Sequence, residues 1–177
     1  MGRMAVFLDR DGIINRAVVR EGRPYPPVRL EDVEILSGSL ISLPRLEAFG
    51  YILIGVTNQP DVARGLQSCE MVNSINTLIQ SRLPVQEIFV CYHDDVDHCN
   101  CRKPKPGLIL QAAEKYGIDL TQSWMVGDRW KDIASGQAAG LKTIFVDYKY
   151  AETFKGIPAD FTIKDTAFLT DIILKGR

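Results

Sequence analysis

Ala5-Val6-Phe7-Leu8-Asp9-Arg10-Asp11-Gly12 reads as an apolar strand that ends in two carboxylates and a glycine. A strand with no polar position is one buried on both faces, as in a parallel sheet. Similar short runs recur at residues 51–56, 87–92, 124–126 and 142–146, with 161–163 at a sheet edge. Helical patterns separate them. Met71, Val72, Ile75, Leu78 and Ile79 repeat at helical spacing, as do Leu108, Ile109, Ala112, Ala113 and Tyr116, the latter stopped by Gly117. A further helix is expected over 39–49, with Ser39 as its N-cap and Gly50 past its end. Alternation of this kind predicts an α/β fold with crossover helices on a mainly parallel central sheet. Residues 17–28, carrying Pro24, Pro26 and Pro27, are expected to form a rigid loop over the carboxyl edge of that sheet.

Composition narrows the function classes. The chain has 177 residues, 46% of them hydrophobic, enough to bury the core of a single domain over 1–177. Its 21 Lys and Arg against 22 Asp and Glu argue against broad nucleic-acid binding. No apolar run approaches the roughly 20 residues of a membrane span, and residues 1–10 lack the plan of a signal peptide. A cytoplasmic monomer with a small-molecule partner is the expectation. The crowding of Cys91, Cys99 and Cys101 speaks for metal ligation in a reducing compartment, while Cys69, at a helix start, is expected to be a free thiol.

Polar clusters follow three of the strands: Asp9-Arg10-Asp11-Gly12, Thr57-Asn58-Gln59 and Gly127-Asp128-Arg129-Trp130-Lys131-Asp132. They converge on one sheet edge. Carboxylates from two strand ends repel each other unless a cation lies between them, and Mg2+ with a phosphate is the natural solution. Asp9 then serves as ligand and as nucleophile, giving an aspartyl-phosphate. Asp11 is placed to protonate the leaving oxygen and later to activate water. Thr57 offers a hydroxyl and a backbone N–H to a phosphoryl oxygen. Arg102-Lys103-Pro104-Lys105-Pro106-Gly107 sets cations beside a helix start, with Lys103 the candidate for stabilising transferring charge. Cys91-x-His93, five residues, then Cys99-x-Cys101 form a candidate tetrahedral Zn2+ site that stiffens the loop carrying Lys103. His98, adjacent to Cys99, is expected to be exposed. A binding module with an acidic metal site but no turnover is the alternative from another class.

Together, Asp9-x-Asp11, Thr57, Lys103 and Gly127-Asp128-x-x-x-Asp132 resemble, in order, the motifs of the haloacid dehalogenase (HAD) superfamily of phosphohydrolases. The resemblance covers nearly the whole chain. It implies a Rossmann-like three-layer domain, Mg2+ held by the Asp9 side chain, the Asp11 carbonyl and the Asp128 side chain, and Asp132 behind them. The cysteine-rich insertion followed by Cys-Arg-Lys-Pro is similar to small members without a large cap domain that hydrolyse either a heptose 1,7-bisphosphate at its 7-phosphate or histidinol phosphate. Ala63-Arg64-Gly65 and Lys103-Pro104-Lys105-Pro106-Gly107 are similar to the heptose group, whereas the short His93 to Cys99 gap is similar to the histidinol group. Ile13 and Pro60-Asp61 depart from the heptose pattern without removing a catalytic group. A sugar phosphate is the expected substrate. Arg64 and Arg102 are expected to hold its second phosphate, Asn58 to contact the substrate, and Asn15 or Tyr25 to touch the sugar.

Overall fold

A computed structural model describes residues 2–151 and 156–176. In chain order the elements are β1 (Ala5–Leu8), β2 (Val18–Arg20), β3 (Arg23–Tyr25), α1 (Ser37–Ala48), β4 (Ile52–Asn58), α2 (Cys69–Gln80), β5 (Glu87–Cys91), α3 (Gly107–Tyr116), β6 (Trp124–Gly127), α4 (Trp130–Ala138), β7 (Lys142–Val146), β8 (Phe161–Ile163) and α5 (Leu169–Lys175). Six strands form one parallel sheet in the order β5-β4-β1-β6-β7-β8.

β1 lies at the centre, and its alternate residues feed two separate cores. Val6 and Leu8 pack with Leu43 and Leu46 of α1, Ile75 and Ile79 of α2 and Leu169 and Ile173 of α5. Ala5 and Phe7 pack on the other face with Leu108, Ile109 and Ala112 of α3. On that same face α4 presents Gly136, where a Cβ would stand 2.6 Å from the Cβ of Met125. Helix, sheet and helix thus make the three layers of a Rossmann-like fold. Among the described residues no separate cap domain interrupts it.

The segment expected as a rigid loop is a hairpin instead. Val18–Arg20 and Arg23–Tyr25 pair antiparallel around Glu21 and Gly22, which have φ of 50° and 74°. Two residues with positive φ make the turn that matches strand twist. The prolines misled because a two-stranded ribbon has only edges, where a missing N–H costs no ladder bond. α1 also starts earlier than the pattern implied, at Ser37 after Leu36. Ser39 is therefore not its cap. It is fully buried, and its hydroxyl donates to the Ile13 carbonyl at 2.5 Å.

Parallel register decides where the chemistry falls. Leu8 pairs with Gly55 and Val126, so β1, β4 and β6 release their next residues at one edge. Asn58 pairs with Cys91, which brings the cysteine loop to the same edge. The hairpin rises beside it, its Gly22 carbonyl accepting from the Ala151 N–H at 2.8 Å.

Candidate active site

Asp9 leaves β1 with its N–H donating to the Val126 carbonyl at 3.0 Å. Its carboxylate is buried, and its Oδ1 accepts from Lys103 Nζ at 2.7 Å. The same ammonium donates to the Val56 carbonyl at 2.7 Å and lies 2.6 Å from Asp132 Oδ1. Burial alone would lower the Lys103 pKa, but Asp132 and Asp9 outweigh it and hold the amine firmly charged.

Asp9, Asp128 and Asp132 each bring a carboxylate oxygen within 4.8 Å of the other two, all buried. Burial pushes the Asp9 carboxyl up to about 7 against the pull of Lys103, with Asp132 and Asp11 adding to the rise. Asp128 is raised well above the carboxylate range by burial, then by Asp9 and Asp132. The two partners of Asp9 differ in kind. Asp132 is already engaged, Oδ1 by Lys103 and Oδ2 by the Arg129 N–H at 3.0 Å. Both oxygens of Asp128 are buried without a close hydrogen bond among the described residues, and the nearby Tyr150 hydroxyl offsets only part of the rise. Orphaned carboxylate oxygens beside a second buried carboxylate are the donor set a hard divalent cation takes. Two glycines make this crowding possible. A Cβ on Gly12, whose φ is +96°, would lie 1.9 Å from Asp128 Oδ2, and one on Gly127 would lie 2.1 Å from the Asp132 Cβ.

The Asp11 side chain turns away from that trio. Its Oδ2 accepts from Arg10 Nη2 at 3.0 Å and Gln59 Nε2 at 2.8 Å, and its Oδ1 from Asn15 Nδ2 at 3.0 Å. Arg10, with no exposed surface, also donates to Asn76 of α2 at 3.1 Å. Asn15 is fully buried in this network, so the expectation that it touches the sugar is corrected: burial leaves it to hold Asp11. Asn58 makes a reciprocal pair with the Lys103 backbone, donating to its carbonyl at 3.0 Å and accepting from its N–H at 3.1 Å.

A small slot of about 60 Å³ is bounded by Asp9, Asp11, Thr57, Asn58, Lys103 and Asp132, with the hairpin's Tyr25 at its rim. It adjoins a cleft of about 500 Å³ that shares Tyr25, Asn58 and Lys131 with it and adds Arg23, Arg64 and Arg102. Loop acids orient two of these arginines. Arg64 grips Asp94 through Nε at 2.7 Å and Nη2 at 2.8 Å, and Arg102 donates to Asp95 at 2.7 Å and to the His93 carbonyl at 3.2 Å. Asp61 faces Arg64 at 3.3 Å.

Cys91, His93, Cys99 and Cys101 converge, with Sγ–Sγ and Sγ–Nδ1 separations of 3.2–3.7 Å. A zinc tetrahedron with thiolate bonds of about 2.3 Å has edges of about 3.8 Å, so the four donors suit Zn2+ with little adjustment. His98 is exposed and outside the group, and Cys69 is a free, half-buried thiol.

Residues 100–154 match the family described as HAD-hydrolase-like. The chain belongs to this superfamily of hydrolases, and it is a phosphatase of the branch that contains the following relatives. It is 36% identical over 152 residues, 79% of its length and 80% of the relative's, to D-glycero-alpha-D-manno-heptose-1,7-bisphosphate 7-phosphatase of Photorhabdus laumondii. It is 38% identical over 144 residues, 78% of its length and 80% of the relative's, to D-glycero-beta-D-manno-heptose-1,7-bisphosphate 7-phosphatase of Helicobacter pylori. The structure of D,D-heptose 1,7-bisphosphate phosphatase from B. bronchiseptica, complexed with magnesium and phosphate, superposes with a TM-score of 0.81 at 28% identity, covering 98% of this chain and all of that one. No helix of the described residues is long and apolar enough to cross a membrane.

Proposed function

We propose that the chain is a Mg2+-dependent phosphomonoesterase that removes the 7-phosphate of D-glycero-D-manno-heptose 1,7-bisphosphate through an aspartyl-phosphate on Asp9. The observation that carries the choice of substrate is the larger cleft. It is lined by Arg23, Arg64, Arg102, Arg129 and Lys131 against Asp61 and Asp95, and it opens from a slot sized for one phosphoryl group. A bisphosphate places one phosphate in the slot and offers the second to these cations. Histidinol phosphate, the alternative, carries an ammonium that the same cations repel.

Asp9, Asp128 and the Asp11 carbonyl would hold Mg2+, which when bound supplies positive charge to the transferring phosphoryl group and to the carboxylates around it. Lys103, fixed by Asp132, keeps a permanent charge beside the nucleophilic carboxylate and draws Asp9 Oδ1 to one side, leaving Oδ2 to attack phosphorus. Asp11 donates a proton to the departing sugar oxygen, then takes one from the water that releases phosphate. Thr57 holds a phosphoryl oxygen at the end of β4. Zn2+ in the cysteine site is structural, since four protein ligands leave no position for water. The protein works as one domain and as a monomer, in the cytoplasm where soluble sugar phosphates occur.

Phosphate release from the heptose bisphosphate, histidinol phosphate and fructose bisphosphate, each with and without EDTA, tests the reading. The expected order of kcat/KM puts the heptose bisphosphate first, with all activity lost in EDTA and in Asp9→Asn. Preference for histidinol phosphate would overturn the substrate, and activity that survives EDTA would overturn the metal.

A further inference from the structure

We infer that Gln59 is a positioning residue for the phosphoryl transfer, acting through Asp11 and Thr57 with a single amide group. Its side chain is buried, and its Nε2 donates both to Asp11 Oδ2 at 2.8 Å and to Thr57 Oγ1 at 3.0 Å. A carboxylate only accepts, so the NH2 end must face Asp11, and the same end then meets the threonine. Thr57 Oγ1 is thereby made an acceptor on its inner side. Its own proton is left to point outward, into the slot that Thr57 and Asp11 both line. A hydroxyl otherwise free to rotate becomes a fixed donor toward a phosphoryl oxygen, and Asp11 is held at a set distance from it.

The backbone of Gln59 fixes where that amide stands. Its N–H donates to the Cys91 carbonyl at 2.7 Å, one residue beyond the register pair of Asn58 and Cys91. Gln59 is thus anchored on the strand end that carries the first cysteine of the metal cluster. Arg10 and Asn15 hold the other edges of Asp11, but neither reaches Thr57. Among the described residues, Gln59 is the side chain that hydrogen-bonds to both.

The inference rests on Asp11 serving as acid and base, and a leaving-group comparison separates the two. Single-turnover release of the alcohol is measured for an alkyl phosphate and for p-nitrophenyl phosphate, whose leaving group needs little protonation. Wild type, Gln59→Leu, Asp11→Asn and the double variant are compared. Leucine keeps the volume and removes the donor; Gln59→Met, likewise uncharged and without a donor, replaces it if Gln59→Leu does not fold. The expected result for Gln59→Leu is a loss of about 10²-fold on the alkyl phosphate, the scale of a misplaced catalytic group, and several-fold less on the aryl phosphate. In the Asp11→Asn background the alkyl-selective part of that loss should vanish, because its route is already cut. Equal losses on both substrates, or full additivity in the double variant, would overturn the role of Gln59 alone. Wild-type release of both alcohols by Asp11→Asn would overturn the acid–base reading, and the role of Gln59 with it.

Discussion

Asn58 and Lys103 hold each other through a closed pair of hydrogen bonds, the amide donating to the lysine carbonyl at 3.0 Å and accepting from its N–H at 3.1 Å. Strand β4 therefore grips the lysine's backbone directly, while Val56, Asp9 and Asp132 fix its ammonium. Lys103 is placed by the sheet as well as by the cysteine loop.

Asn58→Ala should accordingly lower kcat by about 10- to 10²-fold with a smaller change in KM, since it loosens a charge beside the nucleophile. It also strips two backbone groups of their partner, at a cost of about 1–3 kcal/mol each if they stay buried. Urea unfolding and steady-state kinetics check both. A rise in KM with kcat unchanged would return Asn58 to the substrate contact expected from its position in Thr57-Asn58-Gln59.

The raised carboxyls make stability depend on pH when Mg2+ is withheld. Asp9 rises from an ordinary 3.8 to about 7, so between those values the folded protein binds a proton that the unfolded chain does not. Stability therefore falls as pH rises through this window, and Asp128, raised in the same direction, adds to the fall. In EDTA the Tm should drop between pH 5 and pH 8, and saturating Mg2+ should remove most of the drop. Asp9→Asn, which deletes one of the crowded charges, should flatten the EDTA curve. A wild-type Tm that rises over this range would contradict the assignment.

The carboxylates of the candidate site were legible because each is fixed by the strand it follows. Asp9 directly follows an all-apolar run and Asp128 follows another after the single residue Gly127, so parallel register alone unites them. Cys91, His93, Cys99 and Cys101 sit within eleven residues of one another, and their spacing alone marked them as a cluster. What the sequence hid was the support. Arg10 looks like a surface cation between two aspartates, and nothing local says that Asn76 of α2 will receive it in the core. Asn15 sits four residues past Asp11 and looks available to a substrate, yet the turn folds it inward. Gln59 could have been suspected from its place two residues after Thr57, but its second partner, Asp11, is 48 positions away. Helices α4 and α5 escaped for a different reason. The first packs by small residues such as Gly136 rather than by an apolar stripe, and the second spans only seven residues.

Arg64→Ala and Arg102→Ala test the larger cleft. Both side chains are at least partly accessible and their ion pairs lie at the surface, so either change should alter stability by under about 1 kcal/mol. Each removes a charge-assisted contact to a second phosphate, worth about 1.5–3 kcal/mol, or roughly 10- to 100-fold in KM. The effect should be confined to the bisphosphate. If KM for a monophosphate rises equally, the arginines serve the transferred phosphate and the two-site reading of the cleft fails.

Removing the zinc site should reach substrate binding before it reaches the nucleophile. Asp94 and Asp95, directly after His93, orient Arg64 and Arg102, and the His93 carbonyl takes a further bond from Arg102. By contrast Asp9 and Asp128 leave rigid strands, and Lys103 keeps its grip on Asn58. In Cys101→Ser, or after chelation, the loop should loosen and the arginines lose their orientation, raising KM for the bisphosphate more than for a monophosphate. The affinity for Mg2+ should change little, and kcat should fall less than kcat/KM. Elemental analysis should find one tightly held Zn2+ per chain, and its loss should lower the Tm. Zinc-free protein that keeps its full kcat/KM on the bisphosphate would show that the loop acids hold the two arginines without the metal. A kcat that collapses for both substrates would instead place the main role of zinc at Lys103, whose clamp on β4 would then be too weak to stand by itself.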